Sequence, residues 1–201
     1  IHTDLLRAGL IPDPFYADHA QNCQWVENWD WIYVKQFSAQ DVRGDEALRF
    51  EGLDVYGDVY LNGTLLGTTD DMFIPYTFQV GHLLHSGENC LRVYFHSAVR
   101  QTAGLPERSA AFTAERLYIR RMQCSFGWDW VNRFVGCGLW RDVTVGSPES
   151  PAVEDIYVRT VCLDEEGAEL LADVTVAGDA GGLLADCRLI GPDGAECWRR
   201  V

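Results

Sequence analysis

The feature that most constrains the fold is a two-residue alternation of apolar and polar side chains, which recurs from about residue 29 onward. In Leu48–Glu51 and Leu91–His96, apolar residues alternate with polar ones, which is typical of antiparallel strands with one face on a core. An earlier strand has two apolar faces, so we expect both to be partly covered: Trp29, Trp31, Tyr33 and Phe37 on one, Ile32 and Val34 on the other. The alternation predicts an all-β sandwich.

Two local signals mark turns and ends. Asn62-Gly63 separates two apolar runs, and it predicts a β-hairpin because a type I′ turn needs positive φ at both central residues. Near the start, Thr3 is placed to cap a short helix over residues 4–8, which Gly9 would end. The rest of the sequence gives no other clear helix signal.

A turn-rich break, Gly146–Pro151, divides the alternating segments and predicts a domain boundary near residue 149. We therefore expect one domain over residues 1–148 and a second that starts at 149. Residues 149–201 resume the alternation, but they are too few for an independent β-sandwich, which usually takes about 100 residues. We expect the second part to be the truncated start of another sandwich.

Charge and hydropathy exclude several classes of partner. The formal net charge of -14 leaves no basic surface for phosphates, so we expect neither nucleic acid nor an anionic membrane as a partner. No apolar run approaches the roughly 20 residues that a membrane-spanning helix needs. A neutral ligand such as a sugar suits this composition.

The seven cysteines form neither a CxxC pair nor a Cys/His cluster at zinc-ligand spacing, so we expect no metal site and no cofactor. Their odd number and their scatter through apolar segments favour buried, reduced thiols. Because secreted scaffolds tend to carry dense, paired cysteines, this pattern favours a cytoplasmic protein.

Specific motifs go further than the fold class. The segment FEGLDVYGDVYLNGTLLG (Phe50–Gly67), followed by GENCLRVYF (Gly87–Phe95), resembles the sugar-binding domain that opens family 2 glycoside hydrolases. The resemblance implies a jelly-roll β-sandwich of the galactose-binding-domain type. The later segment PAVEDIYVRT (Pro151–Thr160) is similar to the first strand of the immunoglobulin-like domain that follows it in this family.

Two further segments resemble the β-mannosidase type of this family. They are HTDLLRAGLIPDPFY with WVENWDWIYVKQF, within residues 2–37, and RRMQCSFGWDW leading to GLWRDV, within residues 120–143. The sequence also departs from that pattern, since Val131-Asn132 replaces the usual Gly-Pro and Asp142 replaces a proline. These differences bear on sugar preference.

The resemblance implies a retaining exo-β-mannosidase whose two catalytic glutamates lie on a later (β/α)8 barrel. The family acid/base stands in an Asn-Glu dipeptide, and none occurs in these 201 residues. We therefore expect no catalytic residue here and interpret the chain as the accessory amino-terminal portion, cut before the catalytic domain. Its expected partners are a terminal β-mannoside and its own barrel.

The resemblance assigns sugar contact to Trp128 and Asp129. An ionised carboxylate accepts hydrogen bonds from sugar hydroxyls, and an indole packs against the C–H face of a sugar ring. Arg120, Gln123 and Trp130 are expected to support them, with Arg121 beside them. The residues alone leave structural alternatives open: Asp129 caps a turn or pairs with Arg133, both tryptophans belong to the core, and the arginines form surface salt bridges.

Other functions also stay open at this stage. The domain could act as an independent carbohydrate-binding module, which an exposed row of aromatic residues on a sandwich face would favour. It could equally be a structural wall without sugar contact. Within the enzyme class, the runner-up is another family 2 activity, exo-β-glucosaminidase or β-galactosidase.

Overall fold

The computed structural model describes residues 1–106, 112–147 and 151–201. Its contacts divide the chain into two compact units, Ile1–Ser147 (unit 1) and Pro148–Val201 (unit 2). The expected boundary between residues 148 and 149 lies outside the described residues.

The described elements of unit 1 are three short α-helices and a series of strands. They are α1 (His2–Arg7), α2 (His19–Asn22), β1 (Trp31–Ala39), β2 (Ala47–Phe50), β3 (Leu53–Asp54), β4 (Gly57–Leu61), β5 (Thr64–Thr69), β6 (Tyr76–Gln79), β7 (Gly87–Phe95), α3 (Ala98–Gln101), β8 (Gly138–Leu139) and β9 (Val143–Gly146). Single 3-10 turns span Gln24–Asn28, Glu115–Leu117 and Gln123–Phe126.

Unit 1 is an antiparallel β-sandwich. One sheet has the order β1-β7-β4-β5 and the other β6-β2-β9, and all their pairings are antiparallel. The apolar positions of the alternation meet between the sheets in one core cluster: Leu48, Phe50, Leu53, Val59, Leu61, Val80, Leu84, Leu91, Val93 and Phe95. The predicted all-β sandwich is confirmed.

The predicted hairpin joins β4 to β5. Asn62 and Gly63 have φ of 51° and 86°, so both central residues adopt the left-handed conformation that this turn requires. Asn62 also does more than form the turn. Its side-chain amide donates to Leu83 O at 2.8 Å, and its side-chain oxygen accepts from the Cys90 N–H at 2.9 Å. These bonds attach the hairpin to β7 and to the segment that precedes it.

The first helix is present, but its start differs from the prediction. It begins at His2, and the carbonyl of Ile1, rather than the hydroxyl of Thr3, accepts from the first free N–H groups. Its end is as predicted, since the Gly9 N–H bonds to Leu6 O just beyond the last turn. At this end of the helix a backbone carbonyl accepts the hydrogen bonds, and the predicted cap by the Thr3 side chain is not formed.

The first long strand differs in two ways. It begins at Trp31, so Trp29 lies outside it, and its second face is open, because Ile32 and Val34 are 58% and 57% exposed. Only the face that carries Tyr33 packs against the core. The expectation that both faces are partly covered is wrong for the second face, because the opposing sheet covers one face only.

Unit 2 consists of two separate antiparallel pairs. β10 (Ala152–Leu163) pairs with β11 (Ala168–Ala177), and β12 (Cys187–Ile190) pairs with β13 (Glu196–Arg200). The alternation that resumes after the turn-rich break thus corresponds to paired strands. Nearly all side chains on these strands are exposed, and the hydrophobic clusters of the described residues all lie in unit 1.

The cysteines follow the same division. All seven are free thiols, and Cys23 is buried, whereas Cys162, Cys187 and Cys197 are exposed. The expectation of buried thiols is therefore wrong for the three cysteines of unit 2, which lie on strands whose described side chains are nearly all exposed. Across residues 1–106, 112–147 and 151–201, no helix has the length and apolar character needed to cross a membrane.

Candidate functional site

A tight turn presents the candidate residues at the surface of unit 1. After the 3-10 turn Gln123–Phe126, the Trp128 N–H donates to Val131 O at 3.0 Å, which leaves Asp129 and Trp130 at the tip. We call residues 128–131 the tip turn. Its base is closed by the Phe134 N–H, which donates to Ser125 O at 2.8 Å.

Asp129 is exposed at this tip. Over the part of the chain that the structure describes, its carboxylate takes part in no hydrogen bond or ion pair. The local partner considered above, Arg133, instead binds Glu27 at 2.9 Å and donates to the Thr113 hydroxyl at 3.2 Å. The Asp129 oxygens are therefore available to accept hydrogen bonds from a ligand.

The two tryptophans of the tip turn are not core residues. Trp130 is 70% exposed and Trp128 is 39% exposed. The Trp128 ring contacts the Phe112 ring, with 5.1 Å between centroids, and the Arg116 guanidinium lies 4.5 Å from its centroid. Contact with a cation on the ring stabilises one orientation of the indole.

Gln123 supports Trp128 rather than Asp129. Its side-chain oxygen accepts from Arg116 Nε at 3.0 Å, and its side-chain nitrogen donates to Arg116 O at 2.9 Å. Arg116 is only 7% exposed, so these bonds hold a buried cation against the indole. Sequence reasoning missed Arg116, because nothing in its spacing marks it as a neighbour of the tip turn.

The two arginines before the 3-10 turn have other partners. Arg120 binds Asp70 at 2.6 Å on the surface, which is the salt-bridge alternative rather than contact with Asp129. Arg121 is buried and binds Asp54 at 2.7 Å and Gly136 O at 2.9 Å. Neither arginine has a hydrogen bond to Asp129 within the described ranges.

The tip turn lies apart from a cavity in the sandwich. That cavity, about 480 Å³, opens between β1 and β9, and its lining is mainly apolar, including Tyr33, Leu48 and Val143. No residue of the tip turn lines it. Among the described residues, no group of three or more His, Cys, Asp or Glu side chains could hold a metal ion. The chemistry at the tip is therefore that of one carboxylate beside two indoles.

Comparisons with known proteins agree with the motifs. The family model for the glycosyl hydrolase 2 galactose-binding domain-like domain matches residues 1–141. Beta-mannosidase B of Thermothelomyces thermophilus is 36% identical over 170 residues, which is 80% of this chain and 20% of that protein. Beta-mannosidase of Bos taurus is 32% identical over 205 residues, which is 90% of this chain and 23% of that protein.

A solved structure of another beta-mannosidase is also similar to this chain. The crystal structure of beta-D-mannosidase from Dictyoglomus thermophilum aligns with a TM-score of 0.76 and 35% identity, over 87% of this chain and 22% of that one. The chain thus spans about a fifth of the length of the proteins that it matches.

Proposed function

The chain belongs to glycosyl hydrolase family 2, and from that premise we propose that it is the amino-terminal, non-catalytic part of a retaining exo-β-mannosidase. The substrate is a terminal β-D-mannoside. A (β/α)8 barrel elsewhere in the whole protein holds the catalytic glutamates. The sandwich packs on that barrel and narrows its pocket, so that only a terminal sugar enters.

The observation that carries this proposal is the exposed carboxylate at the tip turn. Asp129 has no hydrogen-bond partner in the described part of the chain, although Arg133 stands four residues away. The alternatives in which Asp129 caps a turn or pairs with Arg133 would each give it a protein partner. A carboxylate that is exposed and unpaired in the described structure can accept hydrogen bonds from a ligand that approaches the tip.

The role of the tip turn in catalysis is to bind and orient the sugar. Asp129 accepts hydrogen bonds from sugar hydroxyls, and charge-assisted bonds of this kind are stronger than neutral ones. Trp128, with its orientation stabilised by Arg116, offers indole surface to the ring C–H groups. Retaining chemistry needs two carboxyl groups about 5 to 5.5 Å apart, which we assign to the barrel.

The observations favour this proposal over an independent carbohydrate-binding module. Such a module presents aromatic residues on a sandwich face, but the open face of β1 carries the aliphatic Ile32 and Val34. The exposed tryptophans of unit 1 also lie outside the sheet faces: Trp128 and Trp130 are on the tip turn, and Trp25, Trp29 and Trp140 lie outside the strands. Among family 2 activities, the proposal predicts faster hydrolysis of an aryl β-mannoside than of the matching β-glucosaminide or β-galactoside.

We also propose a cytoplasmic location for the whole protein. The support is chemical, since seven cysteines remain free thiols, and exposed thiols persist best in a reducing compartment. The net charge of -14 supports the absence of nucleic acid and anionic membrane from its partners.

The test is to replace Asp129 in the family 2 enzyme that carries this chain. Asp129→Ala removes charge-assisted hydrogen bonds worth about 1.5 to 3 kcal/mol. Since about 1.36 kcal/mol corresponds to a factor of ten, kcat/KM for an aryl β-mannoside should fall roughly ten- to hundredfold. The melting temperature should not change, because the side chain is exposed.

Asp18→Ala is a matched control. Asp18 is another exposed aspartate, and its side chain forms no capping hydrogen bond at α2. Its replacement should leave kcat/KM unchanged. Equal activity of Asp129→Ala and the unaltered enzyme would exclude sugar contact, and a large drop in melting temperature would make Asp129 structural.

A further inference from the structure

A buried ion pair attaches the segment before the tip turn to β3. Arg121 is 4% exposed, and its Nη2 binds Asp54 Oδ2 on β3 at 2.7 Å. Its Nη1 donates to Gly136 O at 2.9 Å. One side chain therefore joins β3 to both ends of the loop, since Arg121 precedes the tip turn and Gly136 follows it.

A second ion pair attaches the segment after the tip turn to the 3-10 turn Gln24–Asn28. Arg133 Nε donates to both Glu27 oxygens, at 3.1 and 2.9 Å, and its Nη2 lies 3.7 Å from Glu115. The backbone at the same residue is also held, because Gln24 Nε2 donates to Arg133 O at 2.8 Å. This end of the loop is therefore fastened to the 3-10 turn Gln24–Asn28.

The two pairs meet at one buried ring. Phe126 is among the largest fully buried side chains, and it packs with Val55 and Val135 in a small hydrophobic cluster. The Arg121 and Arg133 guanidinium carbons lie 5.7 and 5.6 Å from its ring centroid. Phe126 stands two residues before the tip turn, so its position determines where the turn begins.

The Arg121–Asp54 pair is a poor source of stability. Burial raises the pKa of Asp54 although the Arg121 guanidinium beside it pulls that pKa down. Asp54 Oδ1 and Arg121 Nε are buried without a hydrogen-bond partner. Buried ion pairs often contribute little net stability, and in some proteins they define one arrangement instead.

We propose that Arg121–Asp54 and Arg133–Glu27 are positioning pairs that hold Phe126 and thereby fix the place of the tip turn. The four charged residues do not touch the sugar. They act through Trp128 and Asp129, and in that respect the inference rests on the proposed function. The pairs determine where Asp129 stands, while the core clusters determine whether unit 1 folds.

Amide hydrogen exchange of the 201-residue chain tests the positioning. In Asp54→Asn and in Glu27→Gln, the amides of residues 123–134 should exchange at least about tenfold faster, because the loop opens locally. The amides of β4 and β7 should change much less. Asp70→Asn is the control, because it removes the exposed Arg120–Asp70 pair next to Arg121 and should change neither region.

Unchanged exchange in the loop of both variants would overturn the proposal, and so would an equal rise in β4 and β7, which would mean that the pairs hold the fold as a whole. If Asp54→Asn does not fold, Glu27→Gln decides, since its pair is less buried. Because the exchange measurement needs no sugar, it tests the positioning of the tip turn even if Asp129 has no role in sugar binding.

A double-mutant cycle in the family 2 enzyme separates positioning from general structure. Asp54→Asn should lower kcat/KM more in the unaltered enzyme than in the Asp129→Ala background, where only its effect through Trp128 remains. Rate losses that multiply independently would overturn the positioning role. If Asp129→Ala itself is fully active, the proposed function fails while the exchange result still tests the positioning.

Discussion

Gly127 and Arg133 show how single residues shape the tip turn. Gly127 has φ of 92° directly before Trp128, a conformation that L side chains rarely adopt. In the described structure Arg133 forms no ion pair with Asp129, which is near it in sequence. It binds Glu27 instead, which is 106 residues away in sequence. The first residue sets the backbone direction into the turn, and the second leaves Asp129 without a local partner.

Gly127→Ala should strain the entry to the turn. At φ 92° and ψ 149° the backbone is in a region essentially restricted to glycine, where a side chain costs on the order of 1 to 3 kcal/mol, so the free energy of unfolding measured with urea should fall by about that amount. Gly146→Ala is the control, because this residue lies in β9 and an added Cβ meets nothing within 4 Å. Equal stability of the two variants would contradict the backbone argument.

The sequence could predict part of this site and not the rest. Trp128, Asp129 and Trp130 stand in a recognisable motif, so their place on a surface turn followed from the resemblance. The partners of Arg133 and the contact between Arg116 and Trp128 could not be predicted. They depend on which distant segments meet in the fold, and no local spacing encodes that.

At the scale of elements, Asp30 joins the start of β1 to the end of β7. Its carboxylate accepts from the Ser97 N–H and from the Tyr94 hydroxyl, both at 2.8 Å, and it binds Arg100 at 2.6 Å. Ser97 in turn caps α3 by accepting from the Arg100 N–H. One carboxylate thus connects two strands and a helix.

Asp30 should make stability depend on pH. Burial raises its pKa, but the bonds from Ser97, Tyr94 and Arg100 outweigh burial and lower the pKa below the ordinary 3.8. A lowered pKa stabilises the fold above 3.8, and this contribution is lost as pH falls through the folded-state value. Asp30→Asn should therefore cost about 1 to 2 kcal/mol near neutral pH and much less in acid.

Urea unfolding of the unaltered protein and of Asp30→Asn at several pH values measures the difference in their free energies of unfolding. Asp18→Asn, at an exposed aspartate, should show almost no difference at any pH. A cost of Asp30→Asn that stays constant down to strongly acidic pH would contradict the assignment of the ionised form.

Long elements were predictable and short ones were not. The core strands and the Asn62-Gly63 hairpin follow from a period of two and from one turn dipeptide. By contrast, α2 and α3 span four residues each, which is too short for a helical period to show. The open face of β1 was mispredicted because apolar residues on a strand do not reveal whether a second layer covers them.

At the scale of the whole molecule, the two units differ in how much they bury. Unit 1 contains the hydrophobic clusters of the described residues, while the strands of unit 2 are almost wholly exposed. The alternation predicted sandwich strands in both units, but alternation alone does not show whether a second layer of structure covers those strands. In our proposal the tip turn supplies one carboxylate and two indoles to the sugar pocket, and the barrel forms the rest of that pocket.

The most direct test is a crystal structure of the family 2 enzyme that carries this chain, with a mannose-configured inhibitor in its pocket. We predict a sugar hydroxyl within about 2.6 to 3.2 Å of an Asp129 carboxylate oxygen, with the catalytic glutamates on the barrel. Trp128 should pack near the ring of the sugar. An inhibitor bound in the barrel with Asp129 turned to solvent, or paired with a protein group, would contradict the account.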